Sequence, residues 1–476
     1  MFVQKIRVNA RSGVSENFVI GPGYRGGAVQ GCNFDRGGYV APAFSRKASV
    51  LLAGTFLSLL SLSGASAQSL SVSVETAISS RPVVEAARSR HQAAVERIDA
   101  ERSGFLPQVD VSAGTGYEVS NNSSTGTVPG HGSEDLTRYD ASVSVSQLLF
   151  DNGGTRARTD AARFSAEAEE HGILSAEERV AVDVTRVYLS VVLSERILQR
   201  ANENLASLQR IARLVDAQVS AGKARQADSV QARARVAAAR EEIARRQRDL
   251  AERRGQFTEI VGRAPGSLSQ PRLGAGALPK TVDQALGLAQ NVNPFLRSAV
   301  SRERAAEARA KAADEPFLPR VTFDLVGNVG ENAGGVRGVD NSASAQVRLR
   351  FPLYTGGRDT AERRRAVELA GVAQYERGEV AREVREAIRR SFARLQGDRL
   401  RVPPLVEQAE DNRKVVSAYL AQFELGRRSL FDLLDAQSDL FRAQVSLEEV
   451  RIVALQDEYE LLATIGTLVE SLQIAS

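Results

Sequence analysis

Two periodicities alternate along this chain. From Leu70 to about Ser103 apolar residues recur at helical spacing (Ala77, Val83, Val84, Ala87, Val95), and Phe105-Leu106-Pro107 stops the pattern. From Gln108 to Val119 the period falls to two. Val109, Val111, Ala113, Tyr117 and Val119 share one face, and Gln108, Asp110, Ser112 and Glu118 the other. A Ser/Asn/Gly-rich stretch from Asn121 to about Thr137 follows. The alternation then returns, with Tyr139, Ala141, Val143 and Val145 against Asp140, Ser142, Ser144 and Ser146, and ends in Gln147 to Gly154. From Thr155 to about Ser220 only Gly172 interrupts a helical pattern about 100 Å long. Its seam, Leu198, Ala201, Leu205, Leu208, Ala212, Val215 and Val219, steps by three and four. Gly222 breaks the helix and a second one returns from about Asp228 to Val261.

Everything then repeats. Thr281 to Asp314 reads as helix, with Asn293-Pro294 echoing Arg81-Pro82, and Phe317-Leu318-Pro319 repeats the earlier stop. Val321, Phe323 and Leu325 alternate with Thr322 and Asp324; Ala343, Ala345, Val347, Leu349 and Phe351 alternate with Ser344, Gln346, Arg348 and Arg350. Tyr354 to Gly357 matches Phe150 to Gly154, and a second long helix runs to Gly426, 204 positions after Gly222. The seam shifts by the same offset to Val402, Leu405, Ala409, Asn412, Val416, Tyr419 and Phe423. Pro403-Pro404 occurs in this copy alone and predicts a kink or short break. The expected organisation is a signal region over 1–67, a first repeat over 68–262, a linker over 263–280 and a second repeat over 281–470.

One alternating hairpin fits a half-buried hairpin in a soluble domain as well as a pair of membrane barrel strands. Two such hairpins, each about ten residues per strand and flanked by long charged helices, favour the barrel. Four strands cannot close a barrel, and an open sheet edge does not survive in lipid. Closure therefore calls for several copies, and three give twelve strands. The polar faces, with Asp110, Ser112, Ser142, Ser144, Asp324, Arg348 and Arg350, are expected to line the lumen; Val109, Val111, Val143, Phe323, Val347 and Leu349 are expected to meet lipid. The helices carry Arg, Glu and Asp throughout, so they belong in an aqueous compartment. The fold class is mainly α with membrane β, built on two internal repeats.

Composition agrees. Charged residues make up 25% of the chain, hydrophobics 43% and aromatics 5%, with no Trp, which suits long helices meeting along narrow seams. The net charge of +4 comes from arginine interspersed with glutamate, without the basic block and interleaved aromatics of a nucleic-acid surface. Arg46-Lys47, the apolar run Val50 to Leu62 and Ala65-Ser66-Ala67 read as a secretory signal with cleavage after Ala67; the run is too short to span a membrane as helix. The Gly-rich residues before it imply an extended signal or a later start at a codon other than Met. Cys32 lies upstream of the cleavage site, so the mature chain carries no thiol. His91, His131 and His171 are far apart and read as ordinary surface residues. No nucleophile–base set, phosphate loop or metal spacing stands out, so neither catalysis nor a cofactor is expected. Gly153-Gly154 and Gly356-Gly357 lack the rest of a nucleotide loop. A periplasmic adaptor or structural coiled-coil protein is the rival of another class, but an adaptor should have a single hairpin and no strands with an apolar outer face.

The two tips carry the candidate chemistry. Asp432 and Asp435, three apart on one helix face, would form carboxylate rings around a symmetry axis and select cations. The alternative is that they only favour a helix N-terminus. In the duplicated Phe-Leu-Pro, in Gln147 to Gly154 with Pro352 to Gly357, and in the tip Phe423 to Asp435, the chain resembles the TolC-family outer-membrane efflux proteins over Leu70 to Leu468. The resemblance implies a homotrimer with a twelve-stranded barrel in the outer membrane of a Gram-negative bacterium and an α-helical barrel in the periplasm. The helical tip would dock a periplasmic adaptor (membrane fusion protein) and an inner-membrane ABC transporter, or alternatively a proton-driven drug pump. Gln147 to Gly154 and Ser429 to Phe441 most resemble the type I protein-secretion branch; multidrug or small-molecule efflux is the alternative. By the same resemblance Asp432 and Asp435 match the constricting aspartates, and Gly222 and Gly426 are the tip turns. Arg428 and Asp228 match residues that tie one tip to the other. Phe423 stands where the founding member has a hydrogen-bonding tyrosine, so closure is expected to rest more on Arg428.

Overall fold

The computed structural model describes residues 68–121, 133–274 and 276–474. The expected signal region, its cleavage site, Cys32 and His131 lie outside them. Two long helical hairpins alternate with two β-hairpins. The order is α1 (Leu70–Ser80), α2 (Pro82–Arg102), β1 (Gln108–Ser120), β2 (Glu134–Phe150), α3 (Gly154–Ser220), α4 (Gln226–Val261), α5 (Val282–Val292), α6 (Pro294–Ala312), β3 (Arg320–Glu331), β4 (Val339–Arg350), α7 (Arg358–Glu424), α8 (Leu430–Ile465) and α9 (Leu468–Ser471). The repeat holds to the residue in its helical hairpins: α3 and α7 are 67 residues each, α4 and α8 are 36 each.

Prolines punctuate this order in opposite ways. The pattern from Leu70 to Ser103 predicts one helix, but Pro82 starts a new one at its first position and holds Arg81 extended at φ −79°, ψ 125°. Asn293-Pro294 repeats the device, with the Asn293 side chain accepting from the Leu296 N–H at 3.0 Å. Pro403 and Pro404, by contrast, make no break: α7 runs through both. Both prolines are exposed, as are Arg399 and Leu400, whose carbonyls lose their helical donors. On the other side Val402, Leu405 and Val406 pack against Ala409, Ala443 and Leu447.

The four strands form one antiparallel sheet in the order β1-β2-β3-β4, leaving β1 and β4 as edges. The second strand starts at Glu134, earlier than the alternation alone places it, because Glu134–Arg138 pairs in register with Gly116–Ser120. Register aligns the two faces across all four strands. Val109 and Val111 stand opposite Val145 and Val143, and Phe323 opposite Val347. On the reverse face Ser112 meets Ser142 at 2.7 Å, Ser146 donates to Asp324 at 2.7 Å, and Arg348 lies 3.2 Å from Asp324. Asp110, Ser112, Ser142, Ser144, Asp324, Arg348 and Arg350 thus share one face. The apolar face is open: Val111 is 73% exposed and Val347 67%.

Below the sheet the helices make a wall. In the half near the strands α2, α3, α6 and α7 pack side by side in that order; toward the tips the order is α4, α3, α8, α7. The two long helices run the full length, and the shorter ones fill the space beside them. Near the middle Tyr188, Phe257, Val261, Tyr459, Leu462 and Leu468 form the main apolar core. The structure corrects one histidine: His171 is 5% exposed rather than a surface residue, with Nδ1 unpartnered, and burial with the nearby Arg297 charge lowers its pKa. No helix among the described residues is long and apolar enough to cross a membrane.

Candidate functional site

Both hairpins turn by the same device. After α3, the Lys223 N–H bonds back to Gln218 C=O at 2.8 Å and the Gly222 N–H to Val219 C=O at 3.0 Å. After α7, Arg427 and Gly426 repeat the pair with Gln422 and Phe423 at 2.9 Å each. This double bond pattern needs a left-handed residue, and Gly222 (φ 69°) and Gly426 (φ 72°) supply it. Ser429 then caps α8 by accepting from the Asp432 N–H at 3.2 Å.

A second apolar core lies just behind the turns and draws on all four helices. Leu208, Ile211 and Val215 of α3, Ala232 and Val236 of α4, Phe423 of α7, and Leu430, Leu433 and Leu434 of α8 pack together. Phe423, 7% exposed, joins the tips by packing. Because Leu433 and Leu434 face this core, the opposite face of α8 presents Asp432, Asp435 and Asp439 to solvent.

The ion pairs divide between and within tips. Arg428 reaches Asp432 Oδ2 at 3.5 Å, donates to Gln422 Oε1 at 3.2 Å, and lies over the Tyr419 ring at 3.9 Å, all inside its own hairpin. Asp228 also stays local: its carboxylate accepts from the Arg225 N–H at 3.2 Å and lies 3.5 Å from Arg225 Nε. Among the described residues no ion pair joins Arg428 to Asp228 within the chain. The pair that does cross from tip to tip is Arg235 of α4 with Asp435 of α8, at 3.5 Å. Sequence reasoning missed Arg235. The readable signal was that the two returning helices, copies of one unit, carry opposite charge: Arg233 and Arg235 on α4, Asp432, Asp435 and Asp439 on α8.

Farther from the tips a buried clamp joins the repeats. Glu448 of α8, its side chain 3% exposed, lies 3.0 Å from Arg196 Nη1 and 2.7 Å from Arg200 Nη2, both on α3. Burial pushes this carboxyl up, but the hydrogen bonds and charges of Arg200 and Arg196 outweigh it and hold it below its ordinary value. Gln437 donates to Asn204 at 2.9 Å along the same seam. No cluster among the described residues could hold a metal ion.

A wall of helices about 100 Å long carries an antiparallel sheet with one polar and one exposed apolar face, the dyad pattern of membrane β-strands. The chain belongs to the outer membrane efflux protein family, whose model matches residues 73–263 and 285–467. It is similar to the outer membrane efflux protein BepC of Brucella suis, 26% identical over 88% of this chain and 90% of that one. It is also similar to the alkaline protease secretion protein AprF of Pseudomonas aeruginosa, 27% identical over 85% of this chain and 86% of that one. Among solved structures the outer membrane protein VceC of Vibrio cholerae superposes with a TM-score of 0.70 at 17% identity, over 83% of this chain and 96% of that one. The protein is a TolC-family outer-membrane efflux channel, a transport protein and not an enzyme.

Proposed function

We propose that three copies close a twelve-stranded barrel and that the channel is the outer-membrane part of a type I protein secretion system. The sheet carries the first statement: its two free edges, β1 and β4, need partners in lipid, and three four-stranded sheets give an even-numbered barrel. Asp110, Ser112, Ser142, Ser144, Asp324, Arg348 and Arg350 then line its lumen, and the apolar face meets the outer membrane. A passive conduit needs an energy source, so a periplasmic adaptor and an inner-membrane ABC transporter complete the system. The likeness to AprF, named for protease secretion, supports the secretion reading. The likeness to BepC, named as an efflux protein, supports a second reading with a proton-driven drug pump as partner. A deletion strain separates them. Loss of one or a few large proteins from the medium with unchanged drug and detergent susceptibility is the expected result. Broad hypersensitivity with an intact secretome would transfer the channel to drug efflux.

Asp432 and Asp435 form the constriction in this reading, on the exposed face of α8 where three tips converge. Replacing both by alanine should lower cation selectivity and raise conductance of the purified channel in planar bilayers, by about twofold or more in permeability ratio. Unchanged selectivity would remove the constriction from these residues.

A further inference from the structure

We infer that Arg235 sets the charge of this constriction: it is the counter-charge of Asp435, held out from the other hairpin, and it makes selectivity depend on whether the tips are together. The inference rests on the reading of Asp432 and Asp435 as the constriction.

The two aspartates are compensated in different ways. Asp432 is paired within its own hairpin by Arg428, which Gln422 and the Tyr419 ring also hold in place. Asp435 receives Arg235 from α4, seven residues and two helical turns beyond Asp228. Arg235 makes no other ion pair among the described residues, and its side chain is 41% exposed. With the tips together as in this structure, Asp432 and Asp435 therefore each have one guanidinium, and the pair is close to neutral rather than bare. At 3.5 Å the pair is well inside the screening length of about 8 Å at physiological ionic strength.

The consequence is directional. When α8 moves away from α4, Asp435 loses its counter-charge, while Asp432 carries Arg428 with it because both belong to one tip. Separation of the hairpins thus unmasks one carboxylate per chain, and the channel becomes more cation-selective as it opens. A rim charge that only stabilised the turn would not have this effect, because selectivity follows the net charge at the narrowest point.

The test is the reversal potential of the full-length channel in planar bilayers under a potassium chloride gradient. Arg235→Ala and Arg235→Gln should each raise the cation-to-anion permeability ratio by about twofold or more, opposite in sign to Asp435→Ala. Arg235→Ala combined with Asp435→Ala should match Asp435→Ala alone, and the exchange Arg235→Asp with Asp435→Arg should return the ratio toward wild type. The Arg235→Ala effect should shrink between about 0.1 M and 1 M salt, as the screening length falls from about 10 Å to about 3 Å. If both Arg235 variants form open channels with unchanged or lowered cation selectivity while Asp435→Ala lowers it, Arg235 has no such role and the constriction stands. If Asp435→Ala and the double aspartate variant leave selectivity unchanged, the constriction reading falls and this inference with it. If neither single Arg235 variant yields channels, the charge exchange decides: wild-type selectivity upholds the pair, and any other value overturns it.

Discussion

Glu448→Ala should destabilise the channel by about 2–3 kcal/mol, and Glu448→Gln by about half of that. The carboxylate is 3% exposed and takes Arg196 on one oxygen and Arg200 on the other. Removing it leaves two guanidinium groups four residues apart on one face of α3, with nothing between them. Breaking a buried pair by deleting one partner costs about 3–5 kcal/mol where both charges are dry. Here the arginine side chains keep 30% and 29% exposure, so water recovers part of the loss and the lower figure applies. Glutamine still accepts one hydrogen bond without the charge. Thermal melting of the detergent-solubilised channel checks this, with exposed Glu449→Ala as the control expected within about 0.5 kcal/mol of wild type. A Glu448→Ala protein that melts with wild type would show that α3 and α8 are held by their apolar seam alone.

This clamp also marks where the sequence stops being readable. The alternation of Val109, Asp110, Val111 and Ser112 is a local pattern, and so is the 204-residue offset that brings Gly222 onto Gly426. Local patterns fix the elements, their faces and the turns, and the tip aspartates follow from them. Which helix stands beside which is another matter. Arg235 reaches Asp435, and Arg196 reaches Glu448, only because the lower wall runs α4, α3, α8, α7. Nothing within α4 or α3 taken alone encodes that order. The same limit explains Phe423, whose missing hydroxyl is evident in sequence but whose place in a four-helix core is not. It also explains His171, polar by type yet enclosed where α3, α6 and α7 meet. Pro403-Pro404 shows local chemistry overruled in part: α7 continues through both prolines without a break, with Val402 and Leu405 packed on one side.

Glu178→Gln should act in the opposite sense to Glu448→Ala, stabilising the channel, and only in part of the pH range. Glu178 lies on α3 at 5% exposure; one carboxyl oxygen accepts from the Val469 N–H at 3.1 Å, and the other has no partner. Burial pushes its pKa up from 4.5 to about 7; the N–H groups of Val469 and Leu468 pull it back in part, and Glu177 and Glu470 add to the rise. The folded channel therefore keeps this proton to higher pH than the unfolded chain does. Its contribution to stability is fully present below pH 4.5 and is lost as pH rises to about 7. Asp457, raised to about 6 by burial and by its hydrogen bond with Asp398, works in the same direction over the lower part of that window. At about 1.4 kcal/mol per unit, an ionised Glu178 costs about 3 kcal/mol at pH 8. Glutamine keeps the acceptor for Val469 and cannot ionise. The variant should match wild type near pH 4.5 and exceed it by about 2–3 kcal/mol at pH 8, read as melting temperature against pH. A variant weaker than wild type at pH 8 would mean that the ionised carboxylate stabilises the folded channel, tied by charge to the backbone N–H groups of Val469 and Leu468, and that its pKa is lowered by folding rather than raised. The loss of stability with rising pH would then have to come from Asp457 of α8 in place of the seam between α3 and α9.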